Sequence, residues 1–344
     1  MRACFVLAAV VAAASGCGAS ATEDDGSSAD QALGARVAIM AGTERTRAAA
    51  AAGASNADVQ SASVHFGNAY WLARISHESY FVDADLGGLT SLGFAPESTK
   101  VFASTCSGAW AAYLATPTFA VVVFRGTDVH GWDDAATWTD LEADLESWKT
   151  TWEGPGLVHT GFLDQLDSIW RSDPACGVSE GLGAHLAARH SFDANGRRKG
   201  VELYLTGHSL GASLATLTLG RTLFAQPAIP VSALYTFGSP KTGTDAFATG
   251  LADAARGKTS IFRFVHKDDL IPTLPRNLLP IEPVSYRHVA YDADGEDGFM
   301  VWVDGPSLAV SSFVLHVAYN PNDHDTTRYI DDALTQAKLH NQLH

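Results

Sequence analysis

A serine stands between two glycines in Gly207-His208-Ser209-Leu210-Gly211. The apolar run 201–205 precedes it and the small-residue pattern SLATLTLGRTL follows it. Strand, tight turn and helix form the setting in which a G-x-S-x-G stretch gains chemical meaning. Glycines flank the serine because the turn leaves no room for side chains on both sides. Such a turn lifts the Ser209 hydroxyl to its tip. There the N-terminus of the following helix aims unpaired N–H groups at any negative charge that forms. The chemistry this suggests is nucleophilic attack by a serine hydroxyl.

A hydroxyl is a weak nucleophile without a base to take its proton, and that base needs an acid to orient it. In sheets that carry a serine at such a turn, the partners follow in the order Ser, Asp or Glu, His. Asp268 and Asp269 qualify as the acid, since both follow the apolar run 262–265 at a strand's C-terminal end. Five histidines lie beyond them: His288, His316, His324, His340 and His344. His288 falls in a predicted strand and His316 in an apolar run, which are structural settings. His340 and His344 lie in a polar tail. His324 sits in the loop Asn320-Pro321-Asn322-Asp323-His324-Asp325, and a loop can carry an imidazole over a sheet edge.

Several elements must position these groups. Apolar and aromatic residues at three- and four-residue spacings predict a helix over 64–82. Three apolar runs, 99–105, 110–115 and 119–124, are separated by short connections and predict antiparallel strands. Helices are expected after 157–162 and over 181–190, followed by a polar turn at 193–200. Further strands are expected at 231–237 and 261–265. Residues 286–291 and 299–303 read as a hairpin around the acidic stretch 292–298. Strands separated by helical lengths imply a largely parallel sheet with crossover helices. The acidic stretch Asp292-Ala293-Asp294-Gly295-Glu296-Asp297 lacks the full loop of a calcium site and reads as a turn. No zinc-ligand spacing or phosphate loop appears, and no cofactor is implied.

The chain has 344 residues, 46% of them hydrophobic, enough for a large core. A formal charge of −15 argues against nucleic acid as a partner. Arg2, the apolar run 3–14 and the small residues up to Gly16 have the features of a secretory signal over 1–16. Cys17 after Ala14-Ser15-Gly16 resembles a bacterial lipobox, with Ala14 where leucine is usual. Anchorage through an acylated Cys17 is therefore expected ahead of free secretion. Residues 17–57, rich in Ala, Gly and Ser, read as a linker or arm, with the folded domain over 58–344. Cys106 and Cys176 remain, and either a disulfide or two buried thiols fits them.

Several ordered motifs together resemble the class 3 lipase family, the fungal-type triacylglycerol lipases, over about residues 63–330. GHSLGA at 207–212 is similar to the family's GHSLGG. TFGSPKTG at 236–243 is similar to TFGSPRVG. HKDDLIP at 266–272 is similar to NxxDxVP, with His266 replacing Asn. VFRGT at 123–127, VHTGF at 158–162 and the Asp-His run at 323–329 also match. The last departs by one residue in the spacing from His324 to Tyr329. The resemblance implies an α/β-hydrolase fold with a mostly parallel central sheet, antiparallel N-terminal strands and helices on both faces. It assigns the acid to Asp269 rather than Asp268, the base to His324 and a non-catalytic place to His288. It implies oxyanion donors at Leu210, the residue after the serine, and at Thr127. The implied activity is hydrolysis of acyl esters, acylglycerols foremost, at a lipid–water interface. Feruloyl esters, phospholipids and a catalytically silent lipid-binding lipoprotein are the alternatives.

The loop after Thr127 holds Trp132, Trp138, Trp148 and Trp152 among acidic residues. Ordinary packing is one reading; a flap over the site is the other. The resemblance, which places the family's lid here, favours the flap.

Overall fold

In the computed structural model, the residues described are 39, 65–82, 86–127, 148–256, 258–266, 269–275, 285–289, 300–302 and 321–343. They all belong to the unit spanning 36–344. The helices are α1 (Phe66–Glu78), α2 (Gly87–Ser91), α3 (Thr160–Trp170), α4 (Leu182–Arg189), α5 (Leu210–Phe224), α6 (Asp245–Ala255) and α7 (Thr326–Leu339). The strands are β1 (Thr99–Ala103), β2 (Trp110–Ala115), β3 (Phe119–Phe124), β4 (Lys149–Thr151), β5 (Leu157–His159), β6 (Ser191–Phe192) and β7 (Arg198–Lys199). They continue as β8 (Glu202–His208), β9 (Ala233–Phe237), β10 (Gly243–Thr244), β11 (Ser260–Val265), β12 (Tyr286–Arg287) and β13 (Met300–Trp302).

The main sheet runs β1-β2-β3-β8-β9-β11-β13. β1, β2 and β3 pair antiparallel, and β3 through β13 pair parallel. The serine strand β8 lies at its centre. Successive side chains of a strand point to opposite faces, and β8 uses both. Leu203 and Leu205 join the cluster with Leu214 and Leu217 of α5 and Leu166 of α3. Thr206 points the other way, to Ser76 of α1, with the two hydroxyls 3.2 Å apart. This mostly parallel sheet with helices on both faces, carrying its serine turn after the central strand, is an α/β-hydrolase fold.

Helix α5 is buried from Gly211 to Thr222. Two of its hydroxyls are satisfied there because Thr216 and Thr222 donate to the carbonyls of Ala212 and Leu219, each at 2.8 Å. On the opposite face α7 packs along α1. Phe66 stacks on His340 at 5.1 Å, and His77 Nδ1 lies 2.6 Å from Thr326 Oγ1.

The expected hairpin between 286–291 and 299–303 does not form. β12 pairs antiparallel with β10 in a second sheet, ordered β12-β10-β5-β4. β13 pairs parallel with β11 in the main sheet. Sequence neighbours tend to pair, but these strands are separated by about a dozen residues rather than a tight turn, which leaves each free to join a different sheet. The acidic stretch 292–297 lies outside the described residues. Cys106 and Cys176, which sequence leaves undecided, are joined as a disulfide with Cα atoms 5.3 Å apart.

The four tryptophans also separate. Trp132 and Trp138 lie outside the described residues. Trp152 is packing: its Nε1–H donates to the Pro155 carbonyl at 2.8 Å and its ring lies edge-on to Phe224 and Phe247. Trp148 is 86% exposed.

Candidate active site

The serine turn is strained where the sequence expects it to be. Ser209 has φ 57° and ψ −129°, a conformation that an L-residue adopts only where its surroundings enforce it. The close approaches explain the flanking glycines. A Cβ on Gly207 would lie 2.4 Å from the Gly211 carbonyl carbon, and one on Gly211 would lie 2.1 Å from the Phe124 oxygen. Leu210 opens α5 directly after the serine, so its N–H is among the unpaired donors of that helix end.

Asp269 and His324 meet from different parts of the chain. Asp269 follows β11, and His324 ends the turn Pro321–His324 ahead of α7. His324 Nδ1–H donates to Asp269 Oδ2 at 2.7 Å, and both side chains are fully buried. A carboxylate at Nδ1 selects the neutral tautomer whose Nε2 is the basic nitrogen. Asp269 Oδ1 accepts from the Ile271 N–H at 2.9 Å. Oδ2 also accepts from the Tyr329 hydroxyl. Burial, and then the Asp269 charge, hold the Tyr329 hydroxyl well above its usual pKa, so it remains a donor. Asp268 lies outside the described residues.

Thr127 is exposed just past the C-terminal end of β3. The preceding Gly126 presses against the serine turn: a Cβ there would lie 2.2 Å from the Tyr80 hydroxyl and 2.7 Å from the His208 carbonyl oxygen. The Arg125-Gly126-Thr127 segment therefore runs beside the residue that precedes Ser209.

Three residues that sequence reasoning did not single out hold this arrangement. His208 Nε2–H donates to the His324 carbonyl at 2.8 Å, and its Nδ1 accepts from the Tyr80 hydroxyl at 2.9 Å. A carbonyl can only accept, which fixes the neutral His208 tautomer. Burial pushes its pKa well below the usual value, with the nearby His324 adding to the shift. Gly238 has φ 57°, and a Cβ there would lie 2.8 Å from both Asp269 Oδ2 and His324 Cε1. Tyr329 enters the sequence reading only as the end of a motif. The signals were present, in GHS, in TFG and in that motif, but a spacing carries no hydrogen-bond partner.

The other histidines are accounted for differently. His288 lies just past β12 and Nε2–H donates to the Pro272 carbonyl at 2.7 Å. Burial lowers its pKa well below the usual value. His340 stacks on Phe66. His316 and His344 lie outside the described residues.

Residues 121–278 match the family model described as lipase (class 3). That segment is thus similar to the class 3 lipase family. The chain is 30% identical over 151 residues to secreted mono- and diacylglycerol lipase 1 of Fusarium solani, covering 44% of this chain and 35% of that protein. It is 33% identical over 214 residues to secreted mono- and diacylglycerol lipase A of Penicillium cyclopium, covering 59% and 54%. The chain thus spans from about a third to about half of the curated relatives it matches. Among solved structures, a Rhizomucor miehei lipase propeptide complex is similar at 19% identity and a TM-score of 0.47, with 78% of this chain and 77% of that one covered.

Proposed function

We propose that this chain is a serine hydrolase that cleaves carboxylic esters of acylglycerols. What carries the reading is the buried His324–Asp269 pair on the same edge of the sheet as the strained Ser209 turn. The class 3 lipase segment and the names of the two fungal relatives support it. Ser209 attacks the ester carbonyl as His324 Nε2 takes its proton. The oxyanion is stabilised by the N–H of Leu210 and by Thr127. His324 then protonates the leaving alcohol, and water activated by the same imidazole releases the acyl group. Asp269 keeps the imidazole in register and balances its charge.

Export is part of the proposal. The Cys106–Cys176 disulfide suits an oxidising compartment, and both relatives are named as secreted. The signal over 1–16, the arm over 17–57 and the tether at Cys17 rest on sequence alone. A flap in the Trp-rich loop after Thr127 likewise rests on its composition and motif context.

The test is Ser209→Ala with p-nitrophenyl butyrate and an emulsified diacylglycerol. Loss of hydrolysis to background is expected for both. Undiminished turnover in a folded Ser209→Ala protein would sink the serine mechanism, whereas no hydrolysis of either ester by the wild type would favour the silent lipid-binding alternative.

A further inference from the structure

The family motif has Asn where this chain has His266, three residues before Asp269. That substitution has a structural counterpart. His266 is 3% exposed at the C-terminal end of β11. Its Nδ1–H donates to Asp332 Oδ2 on α7. Its Nε2 lies 3.6 Å from Asp323 Oδ1, on the residue that precedes His324. The His266 carbonyl accepts the Asp269 N–H at 3.0 Å, which closes the turn bearing the acid. The ring also sits edge-on to Tyr329, 6.0 Å between centroids.

One imidazole therefore contacts three segments that must keep register: the acid's turn, the base's turn and α7. As an imidazolium the ring presents N–H groups on opposite sides, one hydrogen-bonded to Asp332 and the other at ion-pair distance from Asp323, so it can span two carboxylates that lie apart. The shorter carboxamide of Asn cannot reach both. We infer that His266 is a positioning residue for His324, acting as a clasp between Asp332 and Asp323. It touches no reacting atom. Its effect comes through the Asp323–His324 peptide, where a displacement of about 1 Å can cost about 100-fold in rate. The inference rests on the serine hydrolase reading, since a fixed imidazole matters only if it serves as the base.

The experiment compares the full chain with His266→Ala, Asp332→Asn, the double variant and Ser209→Ala. Two rates are read for each: kcat on p-nitrophenyl butyrate, and the rate constant for labelling by a fluorophosphonate, which reports serine activation directly. For His266→Ala both rates are expected to fall together by about 10- to 100-fold, with KM within about twofold and the final labelled fraction unchanged. Asp332→Asn is expected to lower both several-fold, and the double variant to be no slower than His266→Ala alone. A loss confined to the labelled fraction, or rates within twofold of wild type, would overturn the clasp. Losses that multiply in the double variant would do the same. If His266→Ala does not fold, Asp332→Asn decides alone, because it weakens the same contact with His266 in place. Retained turnover in Ser209→Ala would instead strike the hydrolase reading itself.

Discussion

Replacing Asp269 by Asn removes a charge and sets a choice that the surroundings resolve badly. Oδ1 accepts from the Ile271 N–H at 2.9 Å, while Oδ2 accepts from His324 Nδ1–H at 2.7 Å and from Tyr329. An amide offers one oxygen and one NH2. With its oxygen towards His324, the NH2 faces the Ile271 N–H, donor against donor, at a cost of about 1–3 kcal/mol for a buried unsatisfied group. With the NH2 towards His324, Nδ1 must accept, the proton moves to Nε2, and the ring can no longer take the serine proton. Tyr329 can turn its hydroxyl to suit either arrangement, so the Ile271 amide tips the choice towards the inactive tautomer by roughly 5- to 150-fold. The imidazolium that forms in the reaction also loses its counter-charge. Two unit charges about 4 Å apart at an effective dielectric near 20 interact by about 4 kcal/mol, which is nearly another 1,000-fold. Together these give a fall in kcat of about 10⁴-fold, with KM little changed. The assay is initial-rate hydrolysis of p-nitrophenyl butyrate, with imidazole nitrogen NMR to report the His324 tautomer. A loss under tenfold, or Nδ1 still protonated, would refute the tautomer argument and with it the role given to the carboxylate.

Two further outcomes are expected. Gly238→Ala forces a Cβ to within 2.8 Å of Asp269 Oδ2 and His324 Cε1 at a positive φ. It should cost about 2 kcal/mol in urea unfolding and about 100-fold in kcat, and wild-type turnover would count against the fit. His190, whose Nε2 lies 3.0 Å from the Tyr113 hydroxyl, has its pKa pushed down to about 4, mainly by burial. Its folded pKa lies below its unfolded value, so the unfolded chain binds the extra proton as pH falls through the range between them. Stability is therefore lost on acidification from about pH 6.5 towards 4. Wild type should lose about 2 kcal/mol more than His190→Gln between pH 7 and 4.5. Equal losses in the two proteins would remove His190 as the cause.

The legible parts of the site were local. The Ser209 turn is written in five consecutive residues, because a tight turn excludes side chains at fixed offsets. The antiparallel β1-β2-β3 run was legible for the same reason, its connections being too short for anything else. The pairing partners of β12 and β13 were not. A strand of two or three residues carries too little alternation to choose between sheets, and the choice is made by what each sheet edge leaves open. The acid stayed ambiguous between Asp268 and Asp269 until a resemblance decided it. The geometry at Asp269 turns on a backbone amide two residues ahead and a hydroxyl sixty residues away. Tyr329, His208 and Gly238 escaped for a related reason. Each is defined by what it meets across the fold, and neither type nor spacing announces a partner.

The packing of α7 on α1 has a bearing on when the site can exist. A chain that emerges from its N-terminus first presents the Ser209 turn early, since β3, β8 and α5 supply its close approaches and β9, next in sequence, accepts the Ser209 N–H through the Phe237 carbonyl at 3.0 Å. The acid arrives sixty residues later. The imidazole arrives after that, and Asp269, which holds it, also accepts from Tyr329 on α7. That helix packs along the first helix described, and just past it Gln342 Oε1 accepts the Phe66 N–H at 2.6 Å. An incomplete chain would thus carry its nucleophile long before it carried the means to use it. Cutting the chain shortly before His324 would leave the Ser209 hydroxyl without its base.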